Sequence, residues 1–371
     1  MNFYNSLILI SNILILTLQT QQLAAKGPGI AGCNYLGYIN KQCGFPELDA
    51  SCLPEACTSI LFDGIFVDLN YHVFGNSCLC ESNQKIIDGL DKTLKAKRPT
   101  YVYYGHVTQS EWTQILACEA CNGGTNSLDE MKGLKAFLDE HPGITGLILT
   151  SIENGETTNL KPIEFPGYSE NLKKYLDVMK TSFPQLEIGI EVSGKFLIDQ
   201  FTAPEIPWLE IKLIAPVTDF FVISLVYLND CTNDLIKTGI APMTSKSTNY
   251  TLEKLKCILP LTSFPKDKTY FKFRLSPASD PSDSKTICDL NIQKMCVHPK
   301  DACKYCSDTL ESFNEKGKFA KENGVGFFTS NMDVNDPRNL CKCEKPFATF
   351  NALLDGFNGV TSKPCKLLIK K

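Results

Sequence analysis

Apolar and polar positions along this chain follow two alternating periods. Short runs rich in β-branched and aromatic residues recur, and most are separated by amphipathic stretches repeating every ~3.6 residues. The strand-like runs are Ala31 to Tyr38, Thr58 to Asn70, Thr100 to His106 and Leu147 to Ile152, followed by Leu186 to Val192, Asp219 to Leu228, Thr269 to Leu275 and Val325 to Asn331. The helical stretches are Ser82 to Lys97, with Ile86, Leu90 and Leu94 on one stripe, Ser127 to Glu140, Tyr168 to Phe183, Leu252 to Leu259, Lys304 to Asn323 and Phe347 to Phe357. Strands buried on both faces and fed by helices are βα units of a parallel sheet. Repeated eight times, they predict an α/β fold, a closed (β/α)8 TIM barrel, whose core needs ~250 residues. The rival is an open doubly wound sheet, but no glycine-rich phosphate loop follows any strand.

Composition narrows the compartment and the partners. The chain has 371 residues and a formal charge of −4 without a basic run, which argues against nucleic acid as a partner. Leu7 to Leu18 is an apolar run too short to span a bilayer comfortably, and small residues follow it. It reads as a secretory signal peptide, residues 1–25, cut near Ala25, with residues 26–371 forming one domain. No later stretch suits membrane insertion, so the mature chain is expected to be extracellular. The 17 cysteines fit that compartment as disulfides. Cys118-x-x-Cys121 and Cys303-x-x-Cys306 also have the spacing of zinc half-sites, but with a signal segment disulfides are the expectation and no metal is assigned. The CxC pairs Cys78/Cys80 and Cys341/Cys343 are expected to bond to separate partners. An odd count leaves at least one thiol free or intermolecular. The sequon Asn249-Tyr250-Thr251 predicts a glycan at Asn249 on a surface loop.

In a parallel barrel the chemistry belongs at the C-terminal strand ends. The stretch Gly143 to Glu156, GITGLILTSIENGE, is therefore the place to ask what the chain does. Together with Cys57-Thr58 opening the second strand, Leu225-Val226-Tyr227-Leu228 ending the sixth, and Gly324 to Asp336 covering the eighth and its acidic turn, it resembles the family 18 glycoside hydrolases. These are the chitinases and chitinase-like proteins, and the resemblance spans nearly the whole mature chain. It implies a disulfide between Cys33 and Cys57, no cofactor, and a cleft that is shallow because the loop from Ser276 to Cys303 is too short for the α+β insertion of some chitinases.

The family's fourth strand carries Asp-Gly-x-Asp-x-Asp-x-Glu. Aligned on Gly146, this chain places Thr145, Gly146, Ile148, Thr150 and Ile152 there, with Ile152 where the acid belongs. In that family the substrate's own 2-acetamido group is the nucleophile, so one glutamic acid must protonate the leaving oxygen. Isoleucine cannot, and losing a positioned acid typically costs ~10²–10⁴ in rate. The expectation is a non-catalytic protein acting by binding, lectin-like or growth-factor-like. Its partner would be a chitin-type oligosaccharide or a secreted or receptor protein.

Strand alternation puts Ile148, Thr150 and Ile152 inside and Glu153 outside. A bulge at the strand end would re-aim Glu153 as a displaced acid, and that gives the alternative of an active glycosidase. A secreted scaffold without a ligand is the third reading. Ligand-binding candidates are Tyr104, Glu153, Tyr227 and Phe328, where Tyr227 matches the tyrosine that holds the acetamido group and Phe328 lies near the sugar-floor tryptophan. For both aromatics, packing in the core is the competing role. Asp68 and Glu191 read as polar strand ends that can line the mouth, and His106 as structural.

Overall fold

The computed structural model describes residues 27–76, 82–106, 125–152, 167–202, 209–283, 285–286, 288–297 and 304–365. The expected signal segment and Glu153 lie outside them, as do both tryptophans and Cys78, Cys80, Cys118, Cys121 and Cys303. Nine strands form one sheet: β1 (Ala31–Asn34), β2 (Ser59–Val67), β3 (Val73–Gly75), β4 (Thr100–His106), β5 (Ile144–Leu149), β6 (Glu187–Ser193), β7 (Phe220–Ser224), β8 (Thr269–Phe273) and β9 (Gly326–Thr329). All pairings are parallel except β2–β3, and β1 pairs with both β9 and β2, which closes eight strands into a barrel. The expected (β/α)8 architecture is therefore the one observed. The second strand is shorter than its apolar run, because the chain turns over Asp68 to Tyr71 and returns as β3.

Helices α1 (Asn83–Leu94), α2 (Thr125–Glu140), α3 (Tyr168–Ser182), α4 (Gly194–Thr202), α5 (Leu252–Thr262), α6 (Ile292–Val297), α7 (Leu310–Asn323) and α8 (Ala348–Phe357) accompany the strands. Side-chain caps fix several of their starts. Ser82, Thr251 and Thr309 each accept a hydrogen bond from the backbone N–H three residues on, satisfying a donor the first turn leaves open. Thr309 explains why α7 begins later than its periodicity suggests. The residues before it, around Cys306, bridge to Ala278 instead. Between β8 and α7 the described residues hold only this bridge and the short α6, not an α+β domain.

Two cores result from strand alternation. The outer one lies between the strands and the helices and includes Ile60, Phe62, Val102, Tyr104, Leu147 and Leu149. The inner one fills the barrel with Leu61, Tyr101, Tyr103, Ile148, Phe220, Val222, Tyr270 and Phe328. Large rings inside the barrel sit beside glycines on the neighbouring strand. Tyr101 is registered with Gly146, Phe220 with Gly189 and Phe328 with Gly32. A β-carbon on any of the three would come within 2.8 Å, 2.2 Å and 2.7 Å of the facing ring. The glycines are therefore required by the rings.

Five disulfides staple the described residues: Cys33–Cys57, Cys43–Cys288, Cys231–Cys306, Cys296–Cys341 and Cys343–Cys365. The first is the bond the resemblance implied, and Cys341 and Cys343 do go to separate partners. Cys306 is consumed by Cys231, so the zinc reading of Cys303-x-x-Cys306 fails there. Cys52 and Cys257 are exposed free thiols. Cys43–Cys288 joins residues 245 apart, tying the loop after β1 to the loop after β8. Replacing both cysteines by serine is expected to lower stability by ~2–5 kcal/mol, because the unfolded chain regains the freedom of a long loop. A lower unfolding free energy from urea denaturation, with each protein's own slope fitted, checks this.

Candidate functional site at the barrel mouth

One step above the ring-filled floor, toward the C-terminal strand ends, the interior becomes polar. Asp63 comes from β2, Tyr103 from β4, Glu191 from β6 and Lys272 from β8. Lys272 Nζ lies 2.9 Å from Glu191 Oε2 and 3.3 Å from Oε1, and 4.0 Å from the centre of the Tyr103 ring. The Tyr103 hydroxyl is buried without a hydrogen-bond partner. Glu191 is near enough to act on the phenol electrostatically, but their geometry is not that of a hydrogen bond. Burial, with Glu191 and then Asp63 adding to it, holds that phenol well above its usual range.

Asp63 is presented by a β-bulge. Register with β4 runs Phe62↔Val102 and then jumps to Ile65↔Tyr104, so Asp63 and Gly64 together oppose the single residue Tyr103, one extra residue on β2. Residues 60 and 62 face the outer core before the bulge, and residues 65 and 67 do so after it. Gly64 sits at φ +105°, and a β-carbon there would come within 2.9 Å of Asn76 O. Burial, the largest influence, raises the Asp63 carboxyl above its usual range, Lys272 pulls it back, and Glu191 raises it further. The residue as a whole is nevertheless exposed. A carboxyl that is both desolvated by surrounding protein and open to solvent lines a concave space within the barrel.

Higher still, at the rim, Tyr227 is 77% exposed, with the Arg274 guanidinium 5.9 Å from its ring centre. Arg274 donates to Ser276 O, Ser276 Oγ and Pro277 O. The core role weighed for Tyr227 does not apply: β7 ends at Ser224, and the turn that follows buries Leu225, Val226 and Leu228 while turning Tyr227 outward.

The remaining sequence candidates separate. Thr145 accepts a hydrogen bond from Thr100 N, Gly146 makes room for Tyr101, and Ile148 joins the inner core as expected. Thr150 continues the strand by donating from its N–H to Tyr104 O. Ile152 does not face the interior. Ser151 adopts φ +58°, which breaks the two-residue period, and Ile152 packs into the outer core with its carbonyl bound by Tyr168 Oη at 2.6 Å. Glu153 lies outside the described residues.

Tyr104 is not a ligand residue of the mouth. It points outward, and its hydroxyl and that of Tyr175 both donate to the buried Glu130 Oε1, at 2.7 Å and 2.6 Å. His106 Nε2 lies 3.4 Å from the other oxygen of Glu130, consistent with its structural reading. Phe328 is fully buried in the barrel floor against Tyr270 and Phe220, so no face is open to a sugar. Asp68 is a turn residue, accepting from Asn70 N and His72 N. Asn249 is exposed, as a glycan acceptor must be.

Sequence reasoning missed Asp63 and Lys272. An Asp-Gly pair inside an apolar strand and a lone lysine in Tyr-Phe-Lys-Phe were the available signals, the first of them a recognised mark of a bulge.

At the same end of the barrel, buried Asp333 accepts from Leu36 N at 2.9 Å and Gly37 N at 2.8 Å, anchoring the loop after β1. Burial raises its carboxyl to about 6, against the opposing pull of those N–H groups. The folded state therefore favours the protonated acid. Its stability contribution is full below the ordinary carboxylate value of about 4 and is lost as pH rises through about 6. Between about pH 4 and 7 the native chain is expected to lose ~3 kcal/mol that Asp333→Asn does not lose. Urea midpoints of both proteins at the two pH values check it.

No protein-family model matches the chain, and no curated protein sequence matches it. Solved structures do. The Ostrinia furnacalis Group II chitinase catalytic domain 2 superposes with a TM-score of 0.67 at 12% identity, covering 92% of this chain and 100% of that one. Human YKL-39, described as a pseudo-chitinase with retained chitooligosaccharide binding properties, gives 0.65 at 12% identity over 89% of this chain and 100% of its own. TsES1 of Trichuris suis, an immunomodulatory active chitinase, gives 0.60 at 13% identity over 83% and 93%. The chain thus has the barrel fold of chitinases and of a chitinase-like protein that binds chitooligosaccharides.

Proposed function

We propose that this is a secreted, catalytically inactive chitinase-like protein that acts by binding, with a chitin-type amino-sugar oligosaccharide as its ligand. The observation that carries the reading is Ile152. At the position aligned with the family's acid the chain supplies an alkyl group, turned out of the barrel and buried in the outer core. With no proton donor there and no aspartates below it, the leaving oxygen of a glycosidic bond has nothing to protonate it.

Binding remains feasible without cleavage. Rings fill the lower barrel, so a sugar rests above them, and Tyr227 offers an apolar ring face at the rim of a polar mouth. Human YKL-39 supports this pairing of a pseudo-chitinase with retained oligosaccharide binding. Secretion is supported by the apolar segment Leu7 to Leu18 and by the five disulfides. Among the described residues no helix is long and apolar enough to cross a membrane.

Calorimetric titration with the tetramer of N-acetylglucosamine tests the binding. Tyr227→Ala is expected to weaken it about tenfold, the equivalent of ~1.4 kcal/mol. Phe328→Ala is expected to act on stability instead, costing ~3–5 kcal/mol by opening a cavity in the barrel floor. Hydrolysis of a fluorogenic chitobioside is expected to be absent from about pH 4 to 8. Turnover that disappears in Glu153→Gln would overturn the reading and establish a displaced acid.

A further inference from the structure

We infer that the bulge carboxylate Asp63, with the Tyr103 hydroxyl beside it, is a subsite for a protonated primary amine, so that the mouth prefers a de-N-acetylated amino sugar to the N-acetylated form. The inference rests on the binding function proposed above and names which amino sugar fits.

The charges at this level of the barrel are unequally matched. Among the described residues Lys272 is the cation that acts on Asp63, but its ammonium is committed to Glu191 and to the Tyr103 ring face. Its ion-pairing distance is to Glu191 and not to Asp63. Arg274 is held at the rim by Ser276 and Pro277. Among the described residues Asp63 is thus left without an ion pair of its own, held by the Gly64 N–H and drawn to Lys272 only at longer range, and it is exposed within the barrel. An unpaired charge among protein atoms is costly, and a cation arriving from solvent relieves that cost.

The second observation is independent of charge. The Tyr103 hydroxyl is 2% exposed as a residue and has no hydrogen-bond partner, which buried hydroxyls seldom lack. An ammonium group brings three N–H donors, enough for Asp63, the Tyr103 oxygen and the spare lone pairs of Glu191. An acetamide brings one N–H, and its methyl group would lie among charged side chains instead of an apolar wall. Strand alternation from Leu61 turns Asp63 inward, and the one extra residue of the bulge lets Ile65 and Val67 return to the outer core beyond it.

The test is calorimetric titration of the full chain with two probes, the β-1,4 tetramer of glucosamine and that of N-acetylglucosamine. The free-amine tetramer is expected to bind at least ten times more tightly. Asp63→Asn, checked for an unchanged circular dichroism spectrum, is expected to erase that margin. Should Asp63→Asn fail to fold, the native protein suffices: a margin built on an ion pair shrinks as salt rises from about 0.05 to 0.5 M. Equal or reversed affinities, a margin that survives Asp63→Asn, or a margin indifferent to salt would each overturn the inference. Binding of the acetylated tetramer alone overturns it while leaving the proposed function standing. Binding of neither tetramer overturns both.

Discussion

Three aromatic rings lie across three glycines on adjacent strands, and this pairing sets the level of everything else in the barrel. Tyr101 covers Gly146, Phe220 covers Gly189 and Phe328 covers Gly32, each pair joined by strand register. Interiors are packed to the density of organic crystals, so a ring of this size needs a neighbour without a side chain. Below the rings, the Tyr101 hydroxyl donates to Glu187, and Glu187 accepts from Gly27 N, which seals the N-terminal end with polar groups already satisfied. A guest can approach only from the C-terminal side, above the rings. The same constraint turns Phe328 from a sugar platform into part of the floor on which the polar layer stands.

The fold was readable because its signals are redundant. Each barrel strand is a β-branched or aromatic run of the right length, and Thr100 to His106 begins and ends where the periodicity says. Boundaries moved where a local interaction overrode the pattern. Thr309 caps a helix inside a stretch that looks helical earlier, and Asp68 collects two backbone N–H groups in the middle of an apparently continuous strand. Disulfide connectivity is only partly encoded by spacing. Cys33–Cys57 came from the family pattern, whereas Cys43–Cys288 joins loops that only the closed barrel brings together.

The site was less readable, and the misplacements have a common cause. Assigning a strand residue to a face assumes that the two-residue period runs unbroken to the strand end. Ser151, in the left-handed region, ends it one residue before Ile152. Ending β7 at Ser224 frees Tyr227 from the core the periodicity assigned to it. Tyr104 follows the period faithfully, and its outward direction was legible from its neighbours Tyr101 and Tyr103. It was selected for being a tyrosine near a strand end, whereas its hydroxyl serves the buried Glu130. Glu191, read as a strand terminus, lies within β6 and reaches Lys272 across β7.

The bulge on β2 gives the reason why loss of the β5 carboxylates need not leave an inert mouth. On β5 the interior position is Ile148, which only packs. Charge is carried instead by β2, β6 and β8, from strands that meet across the barrel and not along one edge. A shared architecture therefore constrains where a ligand can sit more tightly than which groups greet it. Rings and glycines fix the depth, closure of the sheet fixes the radius, and the interior positions just above the floor remain free to change sign and strand. In this chain those positions hold, among the described residues, one matched ion pair and one carboxylate without an ion-pair partner, an imbalance that packing alone has no reason to maintain.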